Sequence, residues 1–203
     1  MNVTPPLELL QALRRLGLIE CSEIPQFTAL SGGVSSDIWR VDTRRGSLCL
    51  KRALPKLKVA ADWYAPLVRS AYEFDWLKTV GKMQPDIVPK VLGYDETSHA
   101  FAMTFLPNEQ YPIWKQQLRH GQVNPGVAAQ VGSNLAKVHS STAKQPQLAA
   151  RFQTDELFHA LRLSPYLEAT AAVHPELAAE LLNLSDTTAQ TKLTLVHGDI
   201  SPK

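Results

Sequence analysis

A histidine and an aspartate stand on either side of a glycine near the end of the 203-residue sequence. His197, Gly198 and Asp199 directly follow the apolar run of residues 193–196. A carboxylate placed this way can accept or orient a proton of a bound molecule, and an imidazole beside it can brace the turn. The triplet occurs by chance in many proteins, so the order and spacing of the other candidate residues must decide its meaning.

The only glycine pair of the sequence, Gly32 and Gly33, lies in a turn of residues 31–36. Glycines let the backbone approach phosphate oxygens closely, and the N–H groups of such a turn suit anions. The turn also contains three hydroxyl donors, Ser31, Ser35 and Ser36. It is not a P-loop, because no Lys-Ser or Lys-Thr follows its last glycine. An ordinary hairpin turn is the alternative interpretation.

Lys51 stands near the end of a predicted strand. Strand alternation puts Cys49 and Lys51 on one face and Leu48 and Leu50 on the other. If the glycine turn covers a nucleotide, Lys51 can reach its phosphates while Cys49 lies over the base. Ile38, on the preceding strand, is the second residue expected over the base. A solvated lysine at a strand end is the alternative.

The apolar spacing predicts an α+β fold, β-rich first and helical afterwards. A helix is expected from Leu7, with Gly17 as its stop, and a second helix over residues 66–80. Extended segments are predicted at residues 24–30, 37–42, 47–52, 88–94 and 99–105. Tight connections between the first three favour an antiparallel sheet.

The composition of the sequence changes near Pro107. We expect residues 1–106 to form the N-terminal helix and a β-rich nucleotide-binding part, and residues 107–203 to form a partial helical part. Further helices are expected to begin near Asn124, Thr154 and His174.

Taken in chain order, these motifs resemble the catalytic elements of small-molecule kinases in the aminoglycoside phosphotransferase and choline kinase group. The layout around Lys51 is similar to the V-A-I-K strand of kinases. Residues 101–107 resemble the hinge strand of the group, and residues 131–139 resemble its G-x-x-L-A-x-x-H helix. The resemblance covers about residues 30–203.

The resemblance implies a protein-kinase-like fold, with an antiparallel-sheet N-lobe, a mainly helical C-lobe that is incomplete in this chain, and ATP between them. It implies that Glu73 pairs with Lys51 and directs it towards the phosphates, with Asp75 and Glu96 as alternative partners. Backbone groups of the hinge would read adenine, although Thr104 departs from the acidic residue usual in the group. The implied ATP-binding residues are Ser31, Gly32, Gly33, Ser35, Ser36, Ile38, Cys49, Lys51, Glu73, Met103, Thr104 and Phe105.

The implied reaction moves the γ-phosphoryl group of ATP to a hydroxyl of a small molecule, with Mg²⁺. Asp199 would orient the acceptor hydroxyl, with His197 and Ser201 supporting the loop. The family pattern H-x-D-x-x-x-x-N places its metal-binding Asn at position 204, so no metal ligand is expected within the chain. We therefore expect these 203 residues alone to transfer no phosphate. Tyr166 and His159 are candidates for one wall of the acceptor pocket, with packing as their alternative role.

Two other interpretations stay open. A non-catalytic nucleotide-binding or interaction module, as a natural truncation or pseudokinase, would share the same motifs. A protein kinase is less favoured, because its catalytic loop reads His-Arg-Asp rather than His-Gly-Asp. The acceptor also stays open among aminoglycosides, choline, homoserine, sugars and secondary metabolites.

Composition argues against several other classes. The net charge of +2 gives no electrostatic case for nucleic acid. Cys21 and Cys49 make no disulfide framework, and no Cys/His cluster has zinc spacing. No apolar stretch reaches the roughly 18 residues of a membrane span, and the first residues lack the layout of a signal peptide. A cytoplasmic location without nucleic-acid or membrane partners is expected.

Overall fold

The computed structural model describes residues 6–30, 33, 35–58 and 63–202. The predicted ATP-binding residues Ser31 and Gly32 lie outside the described residues. The chain divides into two compact units, residues 1–123 together with 202–203, and residues 124–201. The predicted domain boundary after Leu106 stays a prediction.

The first unit is built around an antiparallel sheet. Among the described residues, five strands form it in the order β1-β2-β3-β5-β4: β1 (Gln26–Leu30), β2 (Ser36–Thr43), β3 (Gly46–Ala53), β4 (Val91–Asp95) and β5 (Ala100–Thr104). The turn from β2 to β3 ends at Gly46, whose φ of 114° favours glycine. The predicted antiparallel sheet and α+β class are confirmed.

Helix α1 (Leu7–Arg15) covers one face of this sheet. Its buried leucines meet the inward side chains of the strands in a core made of Leu9, Leu10, Leu13, Ile19, Phe27, Val41, Leu48, Leu50, Ala100 and Ala102. The helix stops at Gly17 as predicted, because this residue has a φ of 66°. The Gly17 N–H donates to the Arg14 carbonyl and the Leu18 N–H donates to the Leu13 carbonyl, which is the Schellman arrangement.

Helix α2 (Arg69–Met83) packs against the opposite face. The ring centroid of Phe74 lies 5.6 Å from that of Tyr94 and 6.1 Å from that of Phe101. Ser70 Oγ donates to the His99 carbonyl (2.8 Å), between β4 and β5. The helix begins and ends three residues later than the predicted span of residues 66–80, because a turn precedes it.

An ion pair joins α1 to the β4–β5 hairpin. Arg15 Nε and Nη2 donate to the two carboxylate oxygens of Asp95 at 2.7 and 2.8 Å. The Ser98 N–H and hydroxyl also donate to Asp95, at 2.9 and 2.5 Å. The Asp95 side chain is only 5% exposed. Arg15, followed by Ser98, lowers the pKa of Asp95 to about 2 despite this burial.

The remaining α-helices follow the sheet in the chain. Helix α3 (Trp114–Arg119) lies in the first unit, and the second unit contains α4 (Pro125–Thr142), α5 (Pro146–Arg151), α6 (Asp155–Phe158), α7 (Ala169–Val173) and α8 (Ala178–Gln190). Asn124 caps α4 by accepting the Gly126 N–H (2.9 Å), as its position before Pro125 predicted. Within the described ranges, no helix is both long and apolar enough to cross a membrane.

A π-helical segment, His159–Glu168, joins α6 to α7, where the sequence predicted an ordinary helix. Pro165 lies inside it and has no N–H to donate to the Leu161 carbonyl four residues earlier. Arg162 Nη1 donates to that carbonyl instead (2.8 Å). The proline therefore explains both the irregular helix and part of the anchoring of Arg162.

Candidate functional site

The sheet face opposite α1 carries several residues that the sequence predicted beside a nucleotide. The strand register pairs Lys51 with Ile38 on one side and with Phe101 on the other, and it pairs Cys49 with Met103. Residues that pair in antiparallel strands share a face, so these side chains lie together.

Lys51 is held on this face by Glu73 of α2. Lys51 Nζ lies 2.5 Å from Glu73 Oε1, and the two side chains are 20% and 41% exposed. The adjacent Phe74 fixes the helix on the sheet through its contacts with aromatic rings. An ammonium group held in a fixed direction can bind phosphate oxygens without first being ordered.

Cys49 is a buried neutral thiol beside Lys51. It is 6% exposed, and burial raises its pKa to about 11, although Lys51 partly opposes this. The thiolate is the reactive form of cysteine, so nucleophilic chemistry is not supported here. A small, weakly polar side chain in this place suits contact with a planar base.

The described part of the glycine turn lies next to the Ile38–Lys51 pair. A Cβ atom at Gly33 would lie 2.9 Å from the Ser36 carbonyl oxygen and 3.3 Å from Ile38 Cδ1, so another residue there requires a shift. The Ser35 carbonyl accepts the Leu54 N–H (3.1 Å). Ser36 begins β2 and is 6% exposed.

The predicted hinge residues do not all lie on the same side. Thr104 pairs with Leu48, which places its side chain on the α1 face, and its N–H donates to the Lys90 carbonyl (2.9 Å). An adenine bound here would therefore use other backbone groups of residues 103–105. Phe105 contacts the guanidinium group of Arg40, which lies 4.9 Å from its ring centroid. Arg40 pairs with Cys49, so Phe105 belongs with the Lys51 face.

In the second unit, the turn at residues 197–199 depends on Gly198. Its φ of 74° lies in the left-handed region, which other residues occupy only with strain. The Asp199 N–H donates to His197 Nδ1 (3.2 Å), so the imidazole braces the turn. Ser201 is exposed two residues further along.

Arg162 holds this turn from the π-helical segment. Its Nε donates to the Gly198 carbonyl (2.7 Å), and its Nη2 lies 3.0 Å from Asp199 Oδ2. A planar guanidinium group can fix a peptide and a carboxylate together. Sequence reasoning missed Arg162, and the only local signal was Pro165, three residues later.

The end of α4 positions the segment that leads into the turn. Thr142 Oγ1 donates to the Val138 carbonyl (2.7 Å) and lies 2.6 Å from Thr194 Oγ1. Thr194 Oγ1 also donates to the His139 carbonyl (2.7 Å), and the Leu195 N–H donates to Thr142 Oγ1 (3.2 Å). Val138 and Thr142 are 1% and 2% exposed, so this polar link is buried.

A pocket of about 420 Å³ lies beside Asp199, within the second unit. Its polar lining comes from Asp199 together with His139, Arg162, Tyr166 and His197, and Gly198 and apolar side chains complete it. Its volume lies within the range of small-molecule pockets. His159, the other acceptor-pocket candidate, does not line this pocket and instead lies 2.7 Å from Glu168 through its Nε2.

Mg²⁺ was also predicted as a cofactor. Among the residues that the structure describes, no group of three or more His, Cys, Asp or Glu side chains could hold a metal ion.

Comparison with known proteins agrees with the motifs. The methylthioribose kinase of Geobacillus sp. (strain WCH70) is 31% identical over 123 residues, which is 57% of this chain. This chain spans only 30% of that relative's length. A crystal structure from Thermobifida fusca YX-ER1, of a protein provisionally assigned as a fructosamine-3-kinase, is 20% identical with a TM-score of 0.46, covering 92% of this chain and 65% of that one. A profile of the phosphotransferase enzyme family matches residues 26–203, and the chain therefore belongs to that family.

Proposed function

We propose that this protein binds ATP on the Lys51 face of its sheet and transfers the γ-phosphoryl group to a hydroxyl of a small molecule. The observation that carries the proposal is the 2.5 Å ion pair between Lys51 and Glu73, on the face opposite the α1 core. Membership of the phosphotransferase enzyme family supports the same reaction class.

In this proposal Lys51 binds the phosphate oxygens of ATP, and Glu73 keeps its ammonium group directed at them. Ile38, Cys49 and Met103 supply the surface against which the base packs. Gly33, a described residue of the glycine turn, brings the backbone close to the phosphates.

Asp199 orients the acceptor hydroxyl and takes its proton as the hydroxyl oxygen bonds to the γ-phosphorus. The bond from that phosphorus to the β–γ bridging oxygen breaks, and ADP leaves. Arg162 and His197 hold Asp199 for this step. Bound Mg²⁺ would neutralise charge on the phosphates.

The acceptor is proposed to enter the pocket lined by Arg162, Tyr166 and His197. The methylthioribose kinase relative supports a sugar hydroxyl as the first acceptor to test. Aminoglycosides, choline and homoserine are the other acceptors that the motifs allow.

Calorimetric titration with ATP tests the nucleotide site. We expect Lys51→Met to weaken ATP binding about 10- to 100-fold, the range of charge-assisted hydrogen bonds. Glu73→Gln should weaken it less, because the ammonium group remains but is no longer directed. Lys82→Met removes an exposed cation from α2, the helix that carries Glu73, and is the matched control. ATP binding by Lys51→Met at wild-type strength would refute the site.

A nucleotide-binding module that transfers nothing would need the same Lys51 geometry. Asp199→Asn separates the two functions when ADP formation by the protein as it occurs in the cell is measured with ATP, Mg²⁺ and each acceptor class. A kinase should lose about a thousandfold or more of its turnover, as expected when a group that takes part in proton transfer is removed. A pure binding module shows no acceptor-dependent turnover in either form. The inactivity of the 203 residues alone stays a prediction, checked by the same assay.

We also propose residues 1–106 as the nucleotide-binding part and residues 107–203 as the helical part. Both cysteines are free thiols, which agrees with a reducing cytoplasmic location. Separate expression of residues 1–106, followed by ATP titration, tests the division.

A further inference from the structure

Arg69, the first residue of α2, donates to four backbone carbonyls of the first unit. Its Nη1 donates to the carbonyls of Ala65 and Pro66, both at 2.8 Å. Its Nη2 donates to those of Ser35 (2.7 Å) and Leu54 (2.6 Å). The two terminal nitrogens together carry four N–H groups, so the planar end of the guanidinium group is fully used.

These carbonyls belong to the segments that carry the proposed ATP site. Ser35 lies in the glycine turn, directly before β2, and Leu54 follows β3, three residues after Lys51. The other two carbonyls lead into α2, where Glu73 stands one helical turn after Arg69. One side chain therefore links the turn, the lysine strand and the glutamate helix.

The chemistry of this link requires arginine. Arg69 is half-buried, and burial lowers the pKa of its guanidinium group, with nearby Glu73 opposing the change. Arginine stays charged in such surroundings, and its planar fork presents donors in fixed directions. A lysine ammonium group is a compact point charge that cannot serve four separated carbonyls at once.

We infer that Arg69 is a positioning residue that holds Ser35, β3 and α2 in the arrangement in which Lys51 faces the phosphates of a nucleotide. It acts through the Ser35 and Leu54 carbonyls rather than by touching the nucleotide. The inference rests on the proposed ATP site and adds to it a residue that no motif identifies.

The first test needs no ligand. The Leu54 N–H donates to the Ser35 carbonyl (3.1 Å), the same oxygen that Arg69 holds. In Arg69→Met, the Leu54 amide should exchange with deuterium about tenfold faster, because local opening there becomes easier. The Lys82→Met control should leave it unchanged. An unchanged Leu54 rate in Arg69→Met overturns the inference.

The second test compares ADP with adenosine by calorimetry. Arg69→Met should weaken ADP binding about tenfold. This is the effect expected when Lys51, no longer held in place, loses one charged hydrogen bond to the phosphates. Adenosine binding should be unchanged, because Lys51 faces only the phosphates. An equal loss for both ligands would show a general structural role and overturn the inference.

The outcomes also separate the inference from the proposed function. If the wild-type protein binds ADP and Arg69→Met binds ADP equally well, only the inference is overturned. Wild-type protein that binds neither ADP nor ATP overturns both. If Arg69→Met does not fold, Arg69→Lys is tested instead. This variant keeps the charge and should still lose most of the preference for ADP over adenosine. An Arg69→Lys protein that prefers ADP as strongly as wild type would refute the inference.

Discussion

The sheet of the first unit and the turn at residues 197–199 of the second unit position their functional side chains by different means. Lys51 extends from a strand whose other face buries Leu48 and Leu50 against α1. Asp199 lies in a half-exposed turn held by polar contacts from Arg162 and from backbone groups. Among the described residues, the eight largest fully buried side chains fall unequally, with Val138 in the second unit and seven in the first: Leu9, Leu13, Phe27, Val41, Leu50, Val80 and Phe101.

This difference suggests how each part of the molecule responds to change. An apolar core contributes stability in proportion to its packed area, so a change in the first unit should alter its unfolding. Polar contacts around an exposed turn contribute little net stability but determine geometry. A change in the turn at residues 197–199 should therefore alter local motion more than the free energy of unfolding.

Leu50→Ala should have the largest effect on stability. Leu50, on β3, is fully buried against α1. Its truncation should lower the free energy of unfolding by about 3 kcal/mol. All four tryptophans lie within residues 1–123, so their fluorescence during urea unfolding reports this unit.

Leu92→Ala, at a 38% exposed position in β4, is the matched control and should change stability by less than about 1 kcal/mol. Equal losses in the two variants would contradict the view that a packed core positions Lys51.

Asp95→Asn should have the second-largest effect, and the effect should depend on pH. The pKa of Asp95 is about 2 in the folded protein against an ordinary value of 3.8, so the ion pair stabilises the fold at neutral pH. The contribution is roughly 2 kcal/mol above about pH 4, and it is lost as the pH falls from about 4 to about 2.

Urea unfolding at pH 7, 5 and 3 measures this dependence. The exposed Asp86→Asn provides the control in the same unit and should show no such trend. A difference between wild type and Asp95→Asn that stays constant from pH 7 to pH 3 would exclude the ion pair as the cause.

The parts of the fold that the sequence predicted follow local rules. Alternation along β3 placed Cys49 and Lys51 on one face because strand side chains repeat every two residues. Gly17 and Asn124 marked helix ends because a left-handed stop and an amide cap require particular residues.

The parts that the sequence did not predict depend on distant contacts. Arg162 meets a carbonyl 36 residues away, and Arg69 meets one 34 residues away. Neither spacing follows a helix or strand period, so no pattern could identify either residue. Helices α3 and α5 were missed because six residues are too few to show an apolar stripe.

Gly198→Ala and Gly132→Ala form a matched pair in the second unit. At Gly198 the φ of 74° makes alanine strained, so Gly198→Ala should lower the free energy of unfolding by about 1 kcal/mol. At Gly132, inside α4 with open space around it, alanine should stabilise by about 0.5–1 kcal/mol. Urea unfolding followed by far-ultraviolet circular dichroism measures both. Stabilisation by alanine at both positions would show that the turn does not need its left-handed residue.

Arg162→Gln should have the smallest effect on unfolding and a clear effect on local motion. The pair with Asp199 is partly exposed, so its loss should lower stability by less than about 1 kcal/mol. The Asp199 amide should nevertheless exchange with deuterium about tenfold faster, because the Gly198 carbonyl and the Asp199 carboxylate lose their common anchor. Lys192→Gln, which breaks the exposed pair with Asp155 in the same unit, should leave that amide unchanged. Equal exchange in wild type and Arg162→Gln would mean that the turn is held by its backbone and His197 alone, and that polar anchoring is not what distinguishes this unit from the sheet.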